Sequence, residues 1–267
     1  MGLAARSSVL RALYAACRQV PVLGSLLHRK AMRVLPVGRR IWLRIPRGQA
    51  KDLWIFVDLR FDPDYCNGQH EAWVQDLLRK QLRRGDCFYD VGAHIGFFSL
   101  IAARIVGVSG CVTAFEPDSG NAAVFRANCE RNQMPQITLM QAAVWSSSGQ
   151  ISFERAEQAS SGMEGRVIAG GSAVRETVRV AGIALDDYVF EQGGKPPTLV
   201  KIDAEGGESA VLIGAKAVLD RYKPSILCEI HDPANGTELA DFLIRIGYSV
   251  QDLPGVKKGY LWAVTNA

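Results

Sequence analysis

Four carboxylates each close a short apolar run: Asp90 after CFY, Glu116 after CVTAF, Asp203 after LVKI and Glu229 after ILC. Glu205 and Glu208 follow Asp203 at once, and His231 lies two residues past Glu229, so on a strand Glu229 and His231 share a face. Acids and a histidine gathered at strand ends can take a proton from a reacting hydroxyl or hold a cation. The first acid opens the turn Asp90-Val-Gly92-Ala93-His94-Ile-Gly96, whose glycines let the backbone approach a ligand where a Cβ would collide. Glu116 comes 20 residues after Gly96, where an acid can accept both hydroxyls of a ribose.

This glycine turn is not GxGxxG. The looser DxGxxxG spacing lacks the close phosphate cradle and suits a nucleoside cofactor without pyrophosphate. S-adenosylmethionine is such a cofactor, and Asp90 can hold its ammonium group directly or through water. Plainer readings stand beside these. Asp90 can cap its turn, Gly92 can serve helix packing, and His231 can bond a loop. Glu208 can face a helix N-terminus, and Glu205 can shape the turn before Gly206-Gly207.

The elements that must position these groups follow a regular order. Residues 41–45 and 53–59 read as an N-terminal hairpin, and 70–83 as a helix with Trp73, Val74, Leu77, Leu78 and Leu82 on one face. Strands at 87–91, 111–116, 137–144, 198–203 and 225–231 then alternate with helices at 97–105, 119–131, 208–219 and 237–246. The Ser/Gly-rich stretch 145–180 breaks the alternation and holds one hairpin strand at 151–154. The closing runs 248–253 and 259–264 leave no room for a crossover helix and must pair antiparallel. The expectation is an α/β class I methyltransferase fold: a seven-stranded, mostly parallel sheet ending in an antiparallel hairpin, with helices on both faces. A dinucleotide dehydrogenase would repeat a second βαβαβ half.

The chain has 267 residues and a net charge of +4, with 48% hydrophobic and 22% charged residues. That supports a sizeable core and excludes a disordered chain. The charge is uneven: residues 1–51 carry eleven Lys or Arg and no acid, leaving 20 basic against 27 acidic residues in the remainder. Residues 1–66 read as a basic arm with an amphipathic helix (Val9, Leu10, Leu13, Tyr14, Cys17) and the hairpin, and 67–267 as the methyltransferase domain. The arm either touches anionic lipid or packs on the body with its arginines solvated; a mitochondrial transit peptide would share its composition. No apolar run is long enough to cross a bilayer. The six cysteines show no zinc-type spacing, and Cys87, Cys111 and Cys228 read as small buried hydrophobes of a reducing, cytoplasmic setting, with peripheral contact at the inner face of a membrane as an option.

DVGAHIG (90–96), FEPDSGNAAVFRANCERN (115–132), AAV (142–144), LDDYV (185–189), VKIDAEGGE (200–208) and CEIH (228–231) together resemble the FkbM-type S-adenosylmethionine-dependent methyltransferases over roughly residues 68–250. The resemblance implies methyl transfer, usually to an oxygen of a sugar, glycan, glycolipid or polyketide-type natural product. It implies cofactor contacts at Glu71, Asp90, Gly92, Ala93, Gly96, Glu116, Pro117, Asn121, Ala143 and Asp203. The family's turn commonly has Asn where His94 stands, and its KIDVEGAE reads KIDAEGGE here, changes that remove no carboxylate.

The catalytic candidates are Asp203, His231, Glu229 and Glu205. Either His231 or Asp203 takes the hydroxyl proton, or Asp203 with Glu229 or Asp232 holds Mg²⁺; the metal-free route is preferred because adjacent oxygen ligands after the fifth strand are not clear. The loop 155–176, with Arg155, Arg166 and Arg175, reads as a substrate loop or a solvated insertion, and Trp42, Trp54 and Tyr65 as sugar platforms or core. A small-molecule or glycan acceptor is expected, and nucleic acid is not, because the body is net acidic. The alternative is a catalytically silent methyltransferase-fold scaffold that uses the basic arm; intact Asp90, Glu116 and Asp203 speak against it.

Overall fold

The structure is a computed structural model. It describes residues 40–58, 63–155, 166–167, 176–251 and 259–265. The arm helix, its expected lipid contact and most of the loop 155–176 lie outside the described residues.

The main sheet holds seven strands: β3 (Cys87–Val91), β4 (Cys111–Phe115), β5 (Ile137–Met140), β10 (Leu199–Ile202), β11 (Ser225–Glu229), β12 (Ser249–Gln251) and β13 (Tyr260–Val264). Their order is β12-β13-β11-β10-β3-β4-β5. The four pairings from β11 to β5 are parallel, and β13 runs antiparallel between β11 and β12. This is the expected class I methyltransferase sheet. Every residue of β3 and β10 is buried, as continuous apolar runs covered on both faces require.

Successive residues feed opposite layers. On one side, Phe88, Leu199, Leu227 and Trp262 pack with α2 (Ala72–Gln81) and α3 (Phe97–Val106). On the other, Tyr89, Val200, Ile202 and Cys228 pack with α5 (Leu185–Phe190), α6 (Glu208–Ile213), α7 (Lys216–Tyr222) and α8 (Pro233–Arg245). The N-terminal hairpin β1 (Arg40–Arg44) and β2 (Trp54–Asp58) joins the first layer through Leu43, Ile45, Ile55 and Val57. It is pinned to α4 (Ser119–Asn132) by two asparagines: Asn128 Oδ1 accepts from Phe56 N at 2.7 Å, and Asn132 Oδ1 from Trp54 N at 2.8 Å. Trp42 stacks on Phe56, and the Arg131 guanidinium sits 4.7 Å over Trp54. Short α1 (Pro63–Asn67) follows the hairpin.

Five sequence expectations need correction. The run 137–144 is two strands: β5 edges the main sheet, whereas β6 (Ala143–Val144) leaves it for a four-stranded sheet ordered β6-β9-β7-β8. In that sheet β7 (Gly149–Arg155) pairs with β8 (Arg166–Val167) and with β9 (Glu176–Ile183), a strand hidden in the Ser/Gly-rich stretch although its Val178 and Val180 alternate with exposed Thr177 and Arg179. The helix expected over 208–219 breaks at Gly214, where a Cβ would lie 2.0 Å from the Trp145 carbonyl oxygen. Helix α8 begins at Pro233 rather than Thr237, since proline is tolerated in a first turn. Finally, Cys87 and Cys111 are not separate buried thiols. They are register partners on adjacent strands, their Cα atoms 4.6 Å apart, and their sulfurs are joined as a disulfide.

Candidate active site

The carboxyl ends of β3, β4, β10 and β11 open on one cavity of about 370 Å³, in the range of small-molecule sites. Ten of the thirteen residues singled out from sequence line it: Glu71, Gly92, Glu116, Pro117, Asn121, Ala143, Asp203, Glu205, Glu229 and His231. Asp90, Ala93 and Gly96 do not line it.

Both glycines of the turn have positive φ, 77° and 87°, which L side chains rarely adopt. What excludes a Cβ, however, is the protein itself. At Gly92 it would lie 1.8 Å from the Asp203 carbonyl oxygen, and at Gly96 2.7 Å from the Phe125 ring. The close approach expected toward a ligand is a close approach of β3 to β10 and of the turn to α4.

Glu116 is buried and bonded on both oxygens. Its Oε2 accepts from His94 N at 2.8 Å, and its Oε1 from Asp118 N at 2.9 Å. Burial nevertheless pushes its carboxyl up to about 7, against those hydrogen bonds and that of Asn121. Asp118 is the N-cap of α4, accepting from Asn121 N, and so fixes the helix start beneath Glu116.

Asp90 lies behind the cavity wall. Its Oδ2 accepts from the Ser99 hydroxyl at 2.5 Å, whereas Oδ1 is buried with no hydrogen-bond partner. Burial raises its pKa, opposed by Lys201 and Ser99. Lys201, the register partner of Asp90, is itself fully buried, with Nζ 3.0 Å from Asp203 Oδ2 and 5.2 Å above the Phe98 ring. Burial favours the neutral amine, but Asp203, Asp90 and Glu71 together outweigh it and hold the lysine charged.

His231 is surrounded by acids. Nδ1 is 2.8 Å from Glu208 Oε1, and Nε2 lies 3.4 Å from Glu205 and 3.6 Å from Asp203. Hydrogen bonds to Glu205 and Glu208 raise its pKa to about 11, so near neutrality it is an imidazolium without a lone pair to accept a proton. That charge weighs against the part of general base expected of it. The donor atoms of Asp203, Glu205 and His231 fall within 4.8 Å of one another, a spacing that a metal ion can bridge. In this structure the two ring nitrogens of His231 reach Glu208 on one side and Glu205 and Asp203 on the other. The Mg²⁺ alternative, built on Asp203 with Glu229 or Asp232, does not match this grouping.

Glu229, the register partner of Tyr260, is pushed up to about 7 by burial and by Asp203, and a hydrogen bond from Tyr260 opposes the shift. The Tyr260 hydroxyl also bonds Glu71 Oε1. Two further histidines are neutral. Burial lowers His70 to about 3 and His94 to about 4.

Sequence reasoning missed several residues in the cavity wall and behind it. Lys201 stands within the quoted VKID segment, but an apolar strand hides a charge whose partners come from other strands. His70, Trp145, Phe153 and Tyr260 carry no local motif. Of the three aromatics considered as sugar platforms, Tyr65 lines the cavity, whereas Trp42 and Trp54 pack at the hairpin.

A seven-stranded sheet of this order, with acids at the ends of β3, β4, β10 and β11, defines an S-adenosylmethionine-dependent methyltransferase. The family model "Methyltransferase FkbM domain" matches residues 90–250. The chain belongs to the FkbM methyltransferase family. A hexuronic acid methyltransferase, AglP of Haloferax volcanii, is 31% identical over 194 residues, which cover 71% of this chain and 72% of that protein. The 31-O-demethyl-FK506 methyltransferase FkbM of Streptomyces tacrolimicus is 28% identical over 178 residues, 57% of this chain and 68% of that one. The crystal structure of an FkbM methyltransferase from Methylobacillus flagellatus superposes with a TM-score of 0.48 at 18% identity, covering 68% of this chain and 44% of that chain. Among the described residues, no helix is long and apolar enough to cross a membrane.

Proposed function

We propose that this methyltransferase alkylates a hydroxyl oxygen of a sugar, glycan, glycolipid or polyketide-type acceptor, with Glu229 as the proton acceptor. The observation that carries the reading is Glu229 itself: a carboxyl at a strand end, in the cavity, pushed up to about 7 by burial and by Asp203. A base poised near the working pH is what hydroxyl transfer needs.

The cavity fits S-adenosylmethionine in size and in charge. Glu71, Glu116, Asp203, Glu205 and Glu229 line it, against one lining cation, His231. The buried, unpartnered Oδ1 of Asp90 adds further negative character behind the wall. Glu116 and Asn121 would take the ribose hydroxyls. Ala143, Val144, Trp145 and Phe153 would cover the adenine, and Gly92, Asp203 and Glu71 would take the methionine end. The bound cofactor supplies a methyl group already activated as a sulfonium, so the chain mainly aligns the acceptor and removes its proton. Glu205 and Glu208 hold His231 charged, and His231 in turn steadies the negative charge on Asp203 and on an acceptor oxygen. One relative is named for a hexuronic acid and the other for 31-O-demethyl-FK506, which supports oxygen-bearing acceptors.

Methyl-labelled cofactor offered with neutral sugars, uronic acids and macrolide alcohols tests the reading. Alkali-stable methyl ethers are expected, with Glu229→Gln slowing turnover about 10²–10⁴-fold. Alkali-labile methyl esters would overturn hydroxyl transfer.

A further inference from the structure

S-adenosylmethionine ends in an amino acid, which carries an ammonium and a carboxylate. Glu71 and Asp203, at the methionine end, suit the ammonium and repel the carboxylate. Glu205 and Glu229, also in the wall, add to that repulsion. The carboxylate needs a stretch of wall that offers hydrogen-bond donors instead. His231 is engaged with Glu208, Glu205 and Asp203, and the Asn121 amide reaches back to Glu116.

Three other lining side chains carry donors and form one patch: Tyr65, His70 and His94. The Tyr65 ring centre lies 4.0 Å from that of His70 and 6.0 Å from that of His94, and its hydroxyl is 3.4 Å from His94 Nδ1. A neutral imidazole keeps one N–H to give. Behind the patch, the ammonium of Lys201 lies 5.2 Å from the centre of the Phe98 ring, which itself packs 5.5 Å from His70.

We propose that Tyr65, His70 and His94 form the subsite for the carboxylate of the cofactor's methionine, while Glu71 and Asp203 hold its ammonium. This rests on the reading of the cavity as the S-adenosylmethionine site. Tyr65 and His70 precede residues 90–250, so two of the three donors come from chain outside the match to the family model.

The patch is held in place from both sides. His70 N donates to the Asp64 carbonyl at 3.2 Å. The buried Gln75 side chain donates to the His70 carbonyl at 2.7 Å and to the Gly68 carbonyl at 3.2 Å. Gln75 Oε1 accepts from Gln49 N at 3.0 Å, tying this segment to the turn of the N-terminal hairpin. At Gly68 a Cβ would lie 2.1 Å from the Arg47 carbonyl oxygen, so the two segments meet backbone to backbone. His94 is fixed by its own N–H, given to Glu116 Oε2 at 2.8 Å. Donors held this way lose little freedom when a ligand arrives. The hairpin thus does more than cover the first layer: it sets two donors at the cofactor.

Calorimetric titration of the full chain compares S-adenosylhomocysteine with its decarboxylated analogue, which keeps the ammonium and lacks the carboxylate. The unmodified protein should bind S-adenosylhomocysteine about 10–100-fold more tightly. Tyr65→Phe, which keeps the ring and its contacts, and His70→Ala should each weaken S-adenosylhomocysteine roughly 10-fold and change the analogue's affinity less than about 3-fold. An unmodified protein that binds the two ligands alike would overturn the proposal. So would folded variants that lose both ligands equally, or that keep full affinity for S-adenosylhomocysteine. Binding of neither ligand by the folded, unmodified protein would overturn the cofactor reading itself, and the proposal with it.

Discussion

Replacing Lys201 by methionine removes a buried ammonium from beneath the cavity while keeping a chain of similar length against Phe98. The amine lies 3.0 Å from Asp203 Oδ2, where an effective dielectric of about 20 gives an attraction of roughly 5.5 kcal/mol. Desolvation of a fully buried ammonium offsets much of this in the native protein. The variant, however, leaves the carboxylates behind, and breaking a buried pair from one side typically costs about 3–5 kcal/mol. The loss should depend on pH in one direction. Asp90 has its pKa raised by burial, and Lys201 is the first opposing influence; without it the carboxyl rises further. A folded pKa above the unfolded one stabilises at low pH, and that stability is lost as pH rises through the folded value. Urea unfolding of both proteins, at pH 5 and at pH 8, should show a deficit of about 3–5 kcal/mol at the higher pH and a smaller one at the lower. A deficit under about 1 kcal/mol, or one that does not grow with pH, would refute the reasoning.

Gly92→Ala puts a Cβ 1.8 Å from a backbone carbonyl at φ 77°; parting β3 from β10 should cost more than about 3 kcal/mol, read as a large fall in thermal midpoint. Asn128→Ala strips the side chain that accepts from Phe56 N and donates to the Ile95 carbonyl, and should cost about 2–4 kcal/mol in urea unfolding, with faster hydrogen exchange at Phe56. Glu116→Gln keeps the shape but loses the charge that receives His94 N and Asp118 N, and should weaken S-adenosylhomocysteine binding about 10–100-fold by calorimetry. With acceptor in hand, turnover should fall on the acid side along a one-proton limb at about 7, since Glu229 must be ionised; Tyr260→Phe should move that limb upward.

Most of the parallel core was legible because β3, β4, β10 and β11 are largely buried and read as mainly apolar runs closed by an acid. The antiparallel end was legible because too few residues separate its two strands to build a crossover. Elements were misread where one tertiary contact overrode a local pattern. Gly214 looks like a tolerable glycine inside a helix until the Trp145 backbone is laid against it. Strand β9 alternates weakly, and its partners β6 and β7 lie up to 39 residues upstream. Cys87 and Cys111 carry no motif, and only the register of β3 against β4 brings them together.

By itself, the sequence determined which acids stand at strand ends, and therefore the fold class, the family and ten of the residues around the cavity. Alternation and apolar runs are local properties, and strand ends converge wherever parallel strands are in register. Tertiary structure alone decided what those acids do. Burial and neighbouring charge, summed over elements far apart in the chain, turn His231 into a cation, hold Lys201 charged in the core and bring Glu229 to ionise near neutrality. A pKa is set by distances and desolvation, and neither exists until the chain is folded.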